Sequence, residues 1–156
     1  MEYGTEQLIN WSAFSQARAE LGSEFVRILG YFREDGVKSL AAIEDAMRSS
    51  NSAALVRPAH TLKGESLQFG AEPLGLLAEK IEHTARTLVE TRGTPEELAV
   101  DVARLRPLFE ETLAMFEREV GLPPMAAAPT FTAPPVPPVA TGAVLRRPQG
   151  FGRKVA

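Results

Sequence analysis

The 156-residue chain has no cysteine, one tryptophan and two histidines. Without thiols it can form no disulfide, no thiolate nucleophile and no cysteine-ligated zinc or iron–sulfur centre. Nowhere do about 18 apolar residues follow one another, and the start has neither a basic cluster nor an apolar run of signal-peptide length. A cytoplasmic protein without a membrane span is expected. Neither GxxxxGK[ST] nor GxGxxG occurs, so the glycine-rich loops that cradle nucleotide phosphates are missing. The chain is therefore not expected to bind ATP or to phosphorylate itself. Alternating strand patterns are missing too, and no internal repeat is visible.

What is present divides the chain in two. After Val120 the residues hold four cations (Arg146, Arg147, Arg153 and Lys154) and no acid, so of the net charge of −3 the first 120 residues carry −7. An acidic domain lacks the basic face that phosphate contacts need, which argues against nucleic-acid binding by the folded part. Eight of the twelve prolines also fall after Gly121, among alanines and threonines and without helical period. The expected organisation is a helical bundle over 1–120 and a disordered Pro/Ala-rich tail over 121–156. The basic end of that tail, Val144 to Lys154, is of a kind that binds an acidic protein surface; a merely solubilising tail is the plainer reading.

Hydrophobic residues make up 44% of the chain, enough for a core. A short helix is expected from Ser12 to Leu21, ending at Gly22, with Ser23 capping a longer one that runs to about Ser49. Its stripe is Phe25, Ile28, Leu29, Phe32, Leu40, Ile43 and Met47, interrupted by Gly36 at a cost of about 1 kcal/mol. A third helix spans about Ser52 to Phe69 and stops at Gly70, and a fourth begins near Pro73. Thr94-Pro95-Glu96-Glu97 reads as an N-cap with a capping box for the fifth. Four long amphipathic helices with short connections predict an all-α, antiparallel up-and-down four-helix bundle with a short extra N-terminal helix. Pro58 and Pro107 fall inside these helices and either kink them or, at Pro58, mark the true helix start.

The run His60-Thr61-Leu62-Lys63-Gly64-Glu65-Ser66-Leu67-Gln68-Phe69-Gly70 is the most specific feature. At about 100° per residue it puts His60, Lys63 and Gly64 on one side of a helix, with Leu62 and Phe69 pointing away. A core histidine would sit among the apolar positions, and a metal ligand would need a second ligand one turn on. His60 instead reads as a reactive group offered to another macromolecule. Arg57, Leu67 and Gln68 project on the same side and are candidate partner contacts, or ordinary surface residues. Ser66 turns toward the apolar side and reads as a small packing residue. His83, between Glu82 and Thr84, reads as a surface residue, and the acidic residues show no pair of inferable catalytic geometry.

The segment HTLKGES, followed by Phe69, Gly70, Ala71 and Leu74, resembles the HxLKGxS pattern of the histidine-containing phosphotransfer (HPt) domains of two-component phosphorelays, over about residues 8 to 120. Glu65 stands where most relatives would have a small residue. The resemblance implies a phosphoryl carrier: His60 takes the group from a receiver-domain aspartyl phosphate and passes it to another receiver aspartate. Its partners would be receiver domains of response regulators or hybrid histidine kinases. It implies magnesium in the receiver's acidic pocket, with no cofactor and no metal held by this chain.

The residue types fit that chemistry in their own right. Imidazole, with an unperturbed pKa near ~6.5, is largely neutral at cytoplasmic pH and can attack phosphorus through one nitrogen while the other keeps its proton. Lys63, one turn on, can place a cation near the phosphoryl oxygens, unless it is only a solvated lysine. Gly64, at i+4, leaves room for the phosphoryl group and an incoming loop, unless its purpose is close helix packing. The competing class is a non-catalytic adaptor that docks and sequesters receiver domains through the His60 face.

Overall fold

The computed structural model describes residues 8–121. The expected disordered tail lies, from residue 122 onward, outside the described residues. Among them there is no strand; the helices are α1 (Trp11–Leu21), α2 (Phe25–Arg48), α3 (Ser52–Gln68), α4 (Glu72–Thr91) and α5 (Ala99–Val120). α2 packs on α3, α3 on α4, α4 on α5 and α5 back on α2, which closes the expected four-helix bundle, while α1 adds to α2 and α3.

Helix starts follow local hydrogen bonding. The Asn10 and Asn51 side chains accept from the backbone N–H groups of Ala13 and Ala54, each 3.1 Å away, and cap α1 and α3. Two expected signals act differently. Ser23 lies in a 3-10 turn, Gly22–Glu24, and α2 begins at Phe25 with no side-chain cap. The Thr94 hydroxyl donates to the Glu96 carboxylate instead of accepting from the backbone; Pro95–Leu98 is a 3-10 turn, and α5 starts only at Ala99. A hydroxyl beside both a carboxylate and free N–H groups has two local partners, and residue spacing does not choose between them.

Pro58 sits inside α3, which begins at Ser52. His60 is therefore in mid-helix, beyond the first turn where the helix dipole acts most strongly. The back of α3 is fixed by apolar packing: Leu55, Ala59, Leu62 and Ser66 are fully buried. The Ser66 hydroxyl has no protein partner, so size is what the residue contributes there. Phe69, just past the helix, joins Phe14, Phe25, Phe32, Phe109 and Phe116 in an aromatic core drawn from α1, α2 and α5, with ring centroids 5.0 to 6.0 Å apart. Burying rings of this size stabilises the fold by roughly 2–3 kcal/mol each.

Two glycines are set by close approach. A Cβ on Gly36 would lie 2.3 Å from Phe109 Cε1, so the gap in the α2 stripe is where Phe109 presses on the backbone. Gly70 has φ +83°, and its carbonyl accepts from Asn10 N at 2.8 Å, which ties the start of α1 to the α3–α4 turn.

Candidate functional site

His60 projects from α3 with 60% of its side chain exposed. Its partner comes from α4: Glu82, only 3% exposed, has Oε2 2.9 Å from His60 Nδ1. Burial by itself drives the Glu82 carboxyl upward, but contacts from Lys63, Arg86 and His60 outweigh it and hold the group at about 2. An ionised carboxylate can only accept hydrogen bonds, so the shared proton sits on Nδ1. In the neutral ring the free lone pair is then on Nε2, the nitrogen farther from Glu82. The arrangement gives an exposed side chain a fixed ring orientation and a free lone pair on one nitrogen.

Lys63 and Arg86 complete the cluster. Lys63 Nζ lies 2.8 Å from Glu82 Oε1 with its side chain 19% exposed, and Arg86 donates to Oε2 at 2.8 and 3.2 Å through Nη2 and Nε. The lysine that the sequence placed free beside the imidazole is thus ion-paired to the carboxylate that orients the imidazole. Two cations and one carboxylate leave the cluster one positive charge in excess around a neutral ring. Gly64 is exposed, and a Cβ built there meets nothing within 4 Å. No helix packs against it, so of the two readings of Gly64 only open space beside His60 fits.

The exposed histidine, the open glycine one turn on and the lysine between them lie within residues 27–118, which match the Hpt domain. The chain belongs to the Hpt domain family. No curated protein and no solved structure matches it. Membership in the family implies phosphotransfer through a histidine in a two-component phosphorelay, and Hpt domains interact with receiver domains. The match covers α2 from its third residue to Arg118 in α5, and leaves α1 outside.

In this Hpt domain Arg57, Leu67 and Gln68 are all exposed. Leu67 lies on α4 at Gly75. Gln68 lines a cleft toward α1 with Ala13, Gln16 and Glu20, and another toward α2 with Tyr31, Asp35 and Glu65. Glu65 does not touch the His60 side: burial, and after it the neighbouring Asp35 carboxyl of α2, raise it to about 7, and its Oε1 is buried without a hydrogen-bond partner. Among the described residues no group of three or more His, Asp or Glu is placed to hold a metal ion, and no helix is long and apolar enough to cross a membrane.

Glu82, Arg86, Gly75 and the Asp35 neighbour of Glu65 were not picked out in the sequence. For Glu82 a signal existed. In an antiparallel pair joined by a tight turn, residues equidistant from the turn face each other, and His60 and Glu82 each stand 11 positions from Ala71.

Proposed function

We propose that this Hpt domain is a cytoplasmic phosphoryl carrier that accepts a phosphoryl group on His60 Nε2 from a receiver-domain aspartyl phosphate and returns it to a second receiver aspartate. As phosphorus binds Nε2, its bond to the donor aspartate oxygen breaks and the aspartate leaves as a carboxylate. Nδ1 keeps its proton throughout, hydrogen-bonded to Glu82, so no general base is needed. Transfer through a loose transition state depends on alignment and charge. Glu82 supplies the alignment; Lys63 and Arg86, held on that carboxylate, supply positive charge beside the ring; Gly64 leaves the approach open.

The partners in this reading are receiver domains of response regulators or hybrid histidine kinases, with Arg57, Leu67 and Gln68 as contacts. Magnesium would sit in the receiver's acidic pocket, and this chain would bring no cofactor of its own. The observation that supports the reading most is the His60–Glu82 hydrogen bond of 2.9 Å, which engages Nδ1 and leaves the lone pair of Nε2 free.

The test is incubation with a phosphorylated receiver, comparing wild type with His60→Gln and His60→Ala. An acid-labile, alkali-stable phosphate on wild type alone is the expected result. Equal labelling of the variants would remove His60 from the role, and receiver binding without any labelling would favour the adaptor.

A further inference from the structure

Leu67 is 40% exposed, an apolar side chain on the surface two turns along α3 from His60. At about 100° per residue, positions 60, 64 and 67 fall on one stripe, and at 1.5 Å per residue Leu67 stands about 10 Å from His60 along the helix. Its side chain rests on α4. A Cβ on Gly75 would come within 2.5 Å of Leu67 Cδ2 and 2.7 Å of Cγ. Because Cγ is the branch point, turning the methyl groups would not clear such a clash; the whole side chain would have to swing out. Gly75, buried although the next residue, Leu76, is 58% exposed, is the notch that lets Leu67 lie flat.

What covers this shelf follows from its distance to His60, and here the argument rests on the carrier reading. A stable protein interface takes about 800 Å² from each partner, which as a disc centred on His60 has a radius of about 16 Å. Any receiver that brings its aspartyl phosphate to Nε2 therefore also covers Leu67. We propose that Leu67, laid flat on Gly75, is the shelf on which that receiver seats an apolar side chain about 10 Å from its phosphorylated aspartate, and that Gly75 sets receiver preference by fixing the height of the shelf. Gly75 is a positioning residue in this scheme: it touches no reacting atom and acts through Leu67.

The experiment uses the full chain as wild type, Leu67→Ala, Gly75→Ala and the double variant. Each is titrated with the receiver that binds wild type most tightly in a panel loaded with beryllofluoride as aspartyl-phosphate mimic. Alanine is a better helix former than glycine, so Gly75→Ala should keep its helical circular dichroism. Leu67→Ala is expected to weaken binding about tenfold, in the range of an interface anchor. Gly75→Ala should weaken it about as much alone and add nothing to Leu67→Ala, since with Leu67 gone there is nothing to displace. Wild type should take phosphate from phosphoramidate, a donor too small to use the shelf.

Leu67→Ala binding within twofold of wild type overturns the shelf, and a Gly75→Ala effect that persists in the Leu67→Ala background overturns the role of Gly75. A wild-type dimer in sedimentation that Leu67→Ala dissolves would make a second copy the occupant and overturn the receiver. If wild type takes no phosphate even from phosphoramidate, the carrier reading fails, while the titration still decides the shelf.

Discussion

Replacing Glu82 with glutamine removes one charge from a buried position that four side chains share. The carboxyl is held at about 2 in the fold against an ordinary 4.5, a difference that corresponds to about 3 kcal/mol at neutral pH. Two of its partners, His60 and Arg86, are 60% and 55% exposed, and water screens what they contribute. The expected loss for Glu82→Gln at pH 7 is therefore about 2 kcal/mol, or a Tm lower by about 8 °C for a unit of this size. The sign with pH is fixed. Since the folded value is depressed, the stabilisation is complete above about pH 4.5 and is lost as pH falls toward 2, because the unfolded carboxyl takes up its proton first. Urea melts between pH 7 and pH 3 should show wild type losing stability on the acid side and Glu82→Gln losing less. The chemical effect is separate. A glutamine can turn either its carbonyl oxygen or its amide group toward Nδ1, so Nε2 is no longer the sole lone-pair nitrogen, and phosphorylation by phosphoramidate should slow about tenfold, the low end of what is lost when a metal-ligating histidine loses the partner that fixes its tautomer. An unchanged rate together with parallel acid limbs would refute both the ion-pair argument and the tautomer argument.

Glu65→Gln should act on the opposite limb: with its folded value raised to about 7 by burial and Asp35, the wild-type contribution is whole below about pH 4.5 and is lost as pH rises through 7. Discounted for the solvent-open flank of the cleft, wild type should lose about 1 kcal/mol between pH 5 and pH 8 that Glu65→Gln keeps, and coincident urea midpoints across that range would count against the pair. Gly64→Gln meets no neighbour at its Cβ and adds helix propensity, so its melting should not suffer, yet transfer from a receiver should fall at least tenfold if open space at His60 matters; normal single-turnover kinetics would dispose of that idea. Gly36→Ala would force a Cβ to 2.3 Å from Phe109 Cε1. Overpacking of this kind costs about 1–3 kcal/mol, enough to exceed the roughly 1 kcal/mol gained in helix propensity, and a thermal melt at or above wild type would show that Phe109 gives way freely.

The bundle was legible because its helices carry long apolar stripes with glycine, proline or short polar residues between them. Phe25, Leu29, Phe32, Leu40 and Ile43 were assigned to the core by period and are buried. Ile28 and Met47, at the margin of the same stripe, are only half-buried. Period tells which face turns inward, and the width of the buried face depends on how far the neighbouring helices wrap around it. The starts of α2 and α5 differ from the expected caps for separate reasons: Gly22–Glu24 folds as a 3-10 turn and leaves α2 without a side-chain cap, and the Thr94 hydroxyl has a second local partner in Glu96.

The candidate site was legible as far as one helix carries it. His60, Gly64 and Leu67 share a stripe fixed by the 3.6-residue turn, and their exposure follows from Leu62 and Ser66 facing the core on the other side. What sets the proton on the imidazole comes from α4, and what faces Glu65 comes from α2, at sequence separations of 22 and 30. No period within α3 encodes either contact.

The two flanks of α3 are built with opposite electrostatic sense, and that decides where the helix is held best. On the α4 side a carboxylate is satisfied by Lys63, Arg86 and His60 and gains as protons leave; on the α2 side a carboxyl facing another carboxyl gains as a proton is taken up. The first contribution is complete once pH exceeds about 4.5, where the second begins to fall, so these two groups place their joint optimum near pH 4.5. At neutral pH the α4 flank is intact while the α2 flank has given up much of its share. At neutral pH the imidazole of His60 is thus oriented by an intact contact to Glu82 on α4, and its orientation does not depend on the carboxyl pair on the α2 side.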